Sequence, residues 1–392
     1  MKKRVFTAAA TASLLVPFVN SAHAQNSVTL YGLIDAGISY VNNSKTSTGA
    51  SSLTKFDDGV AQGSRWGLRG NEDLGGGLSA IFVLENGFNS GTGALGQGGA
   101  LFGRQAYVGL SKDGVGSLTF GRQYSFNTDY LGSTYSNGGE TVAGNYAYHV
   151  NDVDQLVSSR INNAVKFSSA TIAGLRFGAL YGFSNAAGAF TGSPGTGSSV
   201  AGGSSRAWSA GTSYSYGPVS AGVAYTDIRY PGQASPAFST SLFGVNTGAP
   251  GSQIQDLHSL GVGLRYLLGA TTMWALWTNT HIEPTAGKPS TYNAYDVGGK
   301  YAFTPALSAA LSYTYSNASD SFDAHWHQID ASMDYALSKR TDVYLLGIYQ
   351  RASGHNKGVQ VPAQIGSNTT YFNTSGNEDN QLAFRIGVRH KF

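Results

Sequence analysis

The chain has 392 residues, of which 12% are charged, and it contains 53 glycines, 23 tyrosines and no cysteine. This charged fraction is about half of that in soluble proteins, and the lack of cysteine excludes disulfides, thiolate metal sites and thiol nucleophiles. No run of about 20 apolar residues occurs, which argues against a helical membrane protein.

The first 24 residues have a basic start and a short apolar stretch, and Ala22 and Ala24 fit the small-residue rule for cleavage. We predict a secretory signal over residues 1–24 and a mature single domain over residues 25–392. Removing the signal takes away three of the 25 Lys and Arg and none of the 22 Asp and Glu. The mature chain is then formally neutral, so nucleic acid is not expected as a partner.

Between Ser27 and Phe392 we count sixteen segments of roughly ten residues with strand character. Short turns alternate with long connections, which is typical of bacterial outer-membrane barrels. The long connections fall near 43–60, 89–100, 126–158, 184–205, 230–255, 284–290, 318–324 and 352–378. We predict an all-β fold, namely a 16-stranded antiparallel transmembrane β-barrel.

Apolar and polar residues alternate with period two in several segments, as a strand between lipid and water requires. In the final segment one face holds Leu382, Phe384, Ile386, Val388 and Phe392, and the other holds Ala383, Arg385, Gly387, Arg389 and Lys391. In 256–268 we expect a lipid-facing row that opposes His258 and Arg265. That row is Leu260, Val262, Leu264 and Tyr266.

Aromatic residues cluster near the strand ends, where amphipathic rings form girdles at the level of the lipid headgroups. We expect this role for Tyr31, Tyr40, Trp208, Tyr214, Trp274, Trp277, Tyr313, Tyr315, Trp326 and Tyr335. His325 and His327 share one strand face and could supply two metal ligands, whereas a structural zinc site usually has four. We interpret them as polar rim residues and expect no metal and no cofactor.

The connection 126–158 is far longer than loops in compact domains, which indicates a functional or a disordered segment. It contains no Lys or Arg, whereas Arg122 and Arg160 lie near its two ends. Its acidic residues are Asp129, Glu140, Asp152 and Asp154. This charge pattern suggests a constriction loop that folds inward against a basic wall and narrows a pore; the alternative is a solvated surface loop.

The mature sequence resembles the trimeric general porins of the Gram-negative outer membrane, of the neisserial and betaproteobacterial type. The segments that carry the resemblance are SVTLYGLIDAGISYV (27–41), SRWGLRGNEDLGGGLSAIFVLENGF (64–88), LFGRQAYVGLSKDGVGSLTFGRQY (101–124), RINNAVKFSS (160–169) and FRIGVRHKF (384–392). The resemblance implies a sixteen-stranded barrel in outer-membrane lipid, assembled as a homotrimer, whose third long loop folds inward to form the constriction.

The resemblance also implies site residues. By position, Arg65, Arg104 and Arg160 match the basic wall of the constriction, with Arg122 beside them. The acidic residues of 126–158 named above would face this wall. Phe392 matches the terminal aromatic residue that the outer-membrane assembly machinery reads.

Ionised arginines that line a pore favour anions. We therefore predict passive diffusion of ions and small hydrophilic solutes with a mild anion preference. One alternative is a substrate-specific channel of the same architecture. Another is a barrel enzyme or adhesin, although the sequence has no H-E-x-x-H and no G-x-S-x-G motif, and we expect no enzymatic activity.

Overall fold

A computed structural model describes residues 27–183, 206–229, 241–242, 245–246, 254–284, 288–320, 323–356, 359–368 and 370–392. The predicted signal, residues 1–24, lies outside the described residues. Among the helices of the described part, none has the length and apolar character needed to cross a bilayer.

Antiparallel strands form most of the described chain. They are β1 (Ser27–Thr46), β2 (Gly49–Asp58), β3 (Arg65–Gly75), β4 (Leu78–Gly87), β5 (Gln105–Lys112), β6 (Gly116–Tyr124), β7 (Arg160–Ser169), β8 (Leu175–Gly182), β9 (Arg206–Tyr216), β10 (Val219–Arg229), β11 (Ser241–Leu242), β12 (Val245–Asn246), β13 (Ile254–Leu268), β14 (Thr271–Pro284), β15 (Ser290–Ala302), β16 (Leu307–Asp320), β17 (Asp323–Ala336), β18 (Thr341–Asn356), β19 (Val359–Gln360) and β20 (Asn380–Lys391). Short helical turns lie at Gln97–Gly99, Asn127–Gly132, Asn137–Glu140 (α1), Gly144–Ala147 (α2) and Val150–Asp152.

The wall closes on itself because β1 pairs with β20 on one side and with β2 and β3 on the other. β2 pairs with the second half of β1, and β3 pairs with the first half. β2 and β3 therefore form one barrel strand that is interrupted at 59–64. The short β19 only extends β18, and β11 and β12 form a separate hairpin. The predicted sixteen-stranded antiparallel barrel is therefore confirmed.

The predicted long connection 43–60 is wrong. Strand β1 continues to Thr46 and pairs back with β2 from Gly49 onward, with Thr46 opposite Gly49. Gly49 has φ 147°, a backbone conformation that favours glycine. The Ser- and Thr-rich composition that indicated a loop thus belongs to a tight hairpin.

Most of the predicted faces match the structure. On β20, Phe384, Ile386 and Val388 are exposed on the outside of the wall, while Arg385 is buried inside it. On β13 the row from Leu260 to Tyr266 also faces outward, but the prediction that His258 opposes this row is wrong. His258 stacks on the outward Tyr225 of β10, 6.0 Å between ring centroids, because residues an even number apart on a strand share a face.

Three of the aromatic residues expected in the girdles point inward instead. Tyr31 donates its hydroxyl hydrogen to Glu85 Oε2 at 3.0 Å. Trp274 Nε1 donates to Asp296 at 3.2 Å, and Trp326 Nε1 donates to the Pro362 carbonyl at 3.2 Å. Each has a polar group that finds a partner inside the barrel, which burial of an aromatic N–H or O–H requires.

Candidate pore constriction

Residues 126–158, the inward loop, cross the inside of the barrel. At its start the backbone N–H of Phe126 donates to Ser209 Oγ on β9 at 2.9 Å. Further along, Asn137 Nδ2 donates to Asp330 on β17 at 2.6 Å, and the Tyr146 hydroxyl donates to Ser39 Oγ on β1 at 2.8 Å. Since these strands lie at separate places around the ring, the loop runs through the lumen.

The first part of the inward loop packs its apolar side chains onto lumen-facing glycines. Phe126, Tyr130, Leu131 and Tyr135 are all at most 5% exposed. A Cβ atom added to the facing wall glycines would lie 2.3–2.9 Å from one of these side chains. These glycines are Gly178 on β8, Gly211 on β9, Gly222 on β10, and Gly261 and Gly263 on β13. The missing side chains thus make room for the loop.

The second part of the loop is held by polar groups. The Asn137 backbone N–H donates to Asp296 Oδ2 at 2.7 Å. His149 is fully buried between two carboxylates, with Nδ1 2.5 Å from Asp154 Oδ2 and Nε2 3.6 Å from Asp296 Oδ2. Thr278 Oγ1 on β14 donates to the same Asp154 oxygen at 2.7 Å. Buried charges need such partners, because an isolated one is costly.

Two side chains of this second part have shifted pKa values. Burial disfavours the charged form of His149, but the carboxylates of Asp154 and Asp296 outweigh it and raise the pKa of His149 to about 10. Burial, together with the charge of Asp154, raises the pKa of Asp152 to about 7. Both groups therefore hold a proton more tightly in the docked loop than in water.

A further segment, residues 361–368 and 370–375, also lies inside the barrel and packs against the inward loop. Val361, Ala363, Ile365 and Phe372 are at most 1% exposed. The Ser367 backbone N–H donates to the Asn145 carbonyl at 2.8 Å, and the Asn151 backbone N–H donates to the Gly366 carbonyl at 3.2 Å. The sequence predicted only a long connection here.

Between the inward loop and the wall lies a cavity of about 730 Å³. Arg65, Arg104 and Arg160 line it together with Tyr124. The Tyr124 ring contacts two of these arginines, with its centroid 6.0 Å from Arg104 Cζ and 5.0 Å from Arg160 Cζ. Guanidinium groups over an aromatic face are attracted by its quadrupole, so the ring stabilises both charges.

Glu85 on β4 is a carboxylate of this region that the sequence did not single out. Arg104 Nε donates to Glu85 Oε1 at 2.7 Å. Arg104 itself precedes β5, so the period-two pattern of that strand does not govern its direction. Its side chain turns inward, although it is an even number of residues from the outward Val108.

Arg122 is not among the residues that line the cavity. Its Nε donates to the Gly103 carbonyl at 2.8 Å, and Nη1 is hydrogen-bonded to Asn162 Oδ1. The pairing of β6 with β7 has a register shift between Gly121 and Gln123, so the alternation along β6 does not fix the direction of Arg122. The structure thus groups three of the four arginines named from the sequence.

The four acidic residues of the loop have other partners than these arginines. Asp129 lines the cavity and pairs with Lys166 on β7. Asp152 accepts hydrogen bonds from the backbone N–H groups of Val157 and Ser158 within the loop. Asp154 contacts His149 and Thr278. Glu140 pairs with Arg265 on β13 at 2.7 Å and with Lys300 on β15 at 3.5 Å.

Comparisons with known proteins agree with this architecture. The family model described as Gram-negative porin matches residues 8–355. The chain belongs to the Gram-negative porin family. As a porin, it is a β-barrel of the outer membrane.

Its relatives are outer-membrane porins. The chain is 41% identical over 194 residues to an outer membrane porin protein of Bordetella pertussis, an alignment that covers 47% of this chain and 49% of the relative. It is 27% identical to outer membrane porin protein 32 of Delftia acidovorans, over 95% of this chain and 96% of the relative. A solved anion-selective porin from Comamonas acidovorans superposes with a TM-score of 0.71 and 26% identity, over 94% of this chain and all of that chain.

Sequence reasoning missed several residues that shape the interior of this porin. The apolar positions 126, 130, 131 and 135 recur at helical spacing, which would have indicated a buried face within the loop. The wall glycines carry no such signal, since glycine also marks turns and bulges. Tyr124 stands directly after Arg122 and Gln123 in the family-like segment, but its contact with Arg104 and Arg160 depends on strand pairing.

Proposed function

We propose that this porin passes ions and small hydrophilic solutes by diffusion, with a mild preference for anions. The observation that supports the preference is the charge on the cavity wall. Its charged lining residues are Arg65, Arg104, Arg160, Arg389 and Asp129. Four guanidinium groups against one carboxylate give a positive potential in this cavity, which attracts anions and repels cations.

The preference is mild because carboxylates lie close to part of this charge. Glu85 pairs with Arg104 at 2.7 Å, and Arg389 pairs with Asp342 on β18 at 3.0 Å. Arg65 and Arg160 have no carboxylate within ion-pair distance among the described residues. We assign these two, with Arg104, as the basic wall of the constriction and the inward loop as its opposite side.

The test is the reversal potential of single channels in a salt gradient. We expect the triple substitution Arg65→Gln, Arg104→Gln and Arg160→Gln to shift the reversal potential toward cation selectivity. Arg351→Gln is a matched control, because Arg351 lies on the exposed outside of β18 and pairs with Asp379. An unchanged reversal potential in the triple variant contradicts the assignment.

The same recording addresses assembly and the alternative functions. We propose a homotrimer, for which conductance is expected to close in three equal steps. Conductance that saturates at low concentration of one solute would instead support a substrate-specific channel, and a silent barrel with hydrolytic activity would support an enzyme.

We further propose that Phe392 is the residue that the assembly machinery reads. Its backbone pairs with Gly32 through hydrogen bonds of 3.0 and 3.1 Å, and its ring is 42% exposed. We expect deletion of Phe392 to lower the amount of folded porin in the outer membrane, measured as heat-modifiable barrel on gels, with deletion of an exposed residue in the turn 336–341 as the control.

A further inference from the structure

Strands β13, β14 and β17 carry four histidines on the outside of the barrel, near the strand ends that lead into the long connections. His258 is on β13, His281 on β14, and His325 and His327 are on β17. Their strand neighbours Ser259, Thr280, Trp326 and Gln328 are buried inside the wall, so the histidines face outward by period-two alternation. In an outer-membrane barrel the long connections lie on the extracellular side, which places these imidazoles at the outer leaflet.

The imidazoles continue the aromatic girdle of this rim. Ring centroids follow one another across neighbouring strands, 4.8 Å from Trp208 to Tyr225, 6.0 Å from Tyr225 to His258 and 5.1 Å from His258 to His281. On β16 and β17, Tyr315 lies 6.1 Å from His325 and 5.0 Å from His327. We name His258, His281, His325 and His327 the histidine belt. Girdle rings lie at the depth of the lipid headgroups.

Hydroxyl groups of neighbouring strands hold one nitrogen of three of these rings. His327 Nδ1 is 2.7 Å from the Tyr313 hydroxyl, His325 Nδ1 is 3.0 Å from the Tyr315 hydroxyl, and His281 Nδ1 is 3.3 Å from Thr291 Oγ1. When the hydroxyl donates to Nδ1, the ring proton lies on Nε2. Each ring then presents an N–H donor on the side away from its hydroxyl partner.

Charged groups surround the belt on every neighbouring strand. Asp256 lies 3.7 Å from His258 and is itself paired with Arg229, and Asp323 lies 3.7 Å from His325. The other charged and titratable residues of this face are Arg206 on β9, Asp227 and Arg229 on β10, Asp256 on β13, Glu283 on β14, Asp323 on β17, His355 and Arg351 on β18, and Asp379, the partner of Arg351. With neutral imidazoles, five carboxylates oppose three guanidinium groups on this face, so the face is negative. Protonation of the four belt imidazoles reverses the sign of this local charge.

We propose that the histidine belt binds the phosphate groups of phosphorylated lipids in the outer leaflet, and that acid strengthens this binding. Imidazole gains its charge within the range of about pH 5 to 8, and charge-assisted hydrogen bonds to phosphate are stronger than neutral ones. Apolar side chains lie directly below the belt, with Leu260 and Val262 after His258 and Ile329 after His327. A lipid whose phosphate contacts the belt thus has a surface for its acyl chains.

The test measures retention of a diphosphorylated glycolipid by the detergent-purified porin, by native mass spectrometry at pH 5.5 and pH 8. The variant replaces the four imidazoles with phenyl rings, His258→Phe, His281→Phe, His325→Phe and His327→Phe, which keeps the girdle aromatic. We expect wild type to retain several times more lipid at pH 5.5 than at pH 8, and the variant to lose this difference. His390→Phe is the matched control, since His390 also bonds a threonine hydroxyl through Nδ1, Thr341 Oγ1 at 2.8 Å, but at the opposite rim.

Three results would overturn the proposal. The first is equal retention of the dephosphorylated glycolipid by wild type, because the phosphate would then not be recognised. The second is unchanged retention by the four-fold variant, and the third is an equal loss in His390→Phe. Single-channel conductance of each variant reports whether the barrel is intact, and the proposal requires it to be unchanged.

Discussion

The two parts of the inward loop are held by different physical means. The part from Phe126 to Tyr135 inserts rings and a leucine into spaces left by wall glycines. The part from Ser136 to Ser158 is held by buried carboxylates, amides and an imidazole. Apolar packing is insensitive to pH and tolerates small shifts, whereas a buried charge network fails when one partner is lost. We therefore expect pH and single substitutions to affect the docking of the second part of the loop more than that of the first part.

The largest effect is expected from His149→Leu, which removes the cation between Asp154 and Asp296. Breaking a buried pair costs about 3–5 kcal/mol, because the remaining charge has no partner. We expect the second part of the loop to leave the wall and the single-channel conductance to rise and fluctuate. His390→Leu on the exposed rim controls for loss of an imidazole. A quiet channel of wild-type conductance would show that His149 does not hold the loop.

A smaller effect is expected from Gly263→Ala, which tests the apolar part. The added Cβ would lie 2.4 Å from Tyr135 Cβ, so the ring has to move. Overpacking of this kind costs about 1–3 kcal/mol. We expect a higher conductance without added fluctuation, since the polar part stays in place.

Gly299→Ala is the control for this substitution. At Gly299 the nearest atom to an added Cβ is a backbone oxygen at 3.9 Å. Should both glycine variants change conductance equally, the packing of Tyr135 against the wall would not be the cause.

The pH dependence should separate the two parts of the loop further. The pKa of His149 is raised to about 10 and that of Asp152 to about 7. A raised pKa in the docked state stabilises docking at low pH, and this contribution is lost as pH rises from the free value to the raised value. We expect docking to weaken between pH 3.8 and about pH 7 as Asp152 loses its proton, and between pH 6.5 and about pH 10 as His149 loses its proton. This weakening should be seen as growing open-channel noise, while the packed part stays in place.

Asp152→Asn removes the lower of these two steps. Its amide carries no charge at any pH, so noise in this variant should rise only between pH 6.5 and about pH 10. A variant whose noise still rises below pH 6.5 would assign that change to another group.

The smallest effect is expected from Glu140→Gln. Glu140 pairs with Arg265 and Lys300, whose side chains are 27% and 32% exposed, and pairs of partly exposed groups contribute about 0.2–1 kcal/mol. We expect an unchanged conductance and a small shift of the reversal potential toward anions, because Arg265 and Lys300 lose their counter-charge. A conductance change as large as that of His149→Leu would place Glu140 among the main anchors of the loop.

The strand wall was predictable from the sequence because the two faces of a strand in lipid are dictated residue by residue. The outward Phe384, Ile386 and Val388 and the buried Arg385 follow this rule. The rule that apolar residues face lipid and polar residues face the lumen failed for Trp326, which bonds the Pro362 carbonyl inside the barrel. Period-two alternation also failed for Arg104, which lies before the start of β5.

The interior was predictable only in outline. Length and charge indicated that 126–158 folds inward, but the partners of its acidic residues depend on which strands face each other across the lumen. Glu140 pairs with residues 125 and 160 positions away in sequence, Arg265 and Lys300. No local pattern encodes such pairs, and the role of the wall glycines follows only from the rings opposite them.

The seam between β1 and β20 joins the two extremes of the sequence, with Leu33 opposite Lys391. A ring cannot be completed until its last member exists, so both edges stay open while the polypeptide is synthesised and exported. Unpaired edges invite aggregation, and contacts between distant positions form slowly. We therefore expect a truncation within β20 to be more harmful to barrel closure than one of equal length within a surface connection.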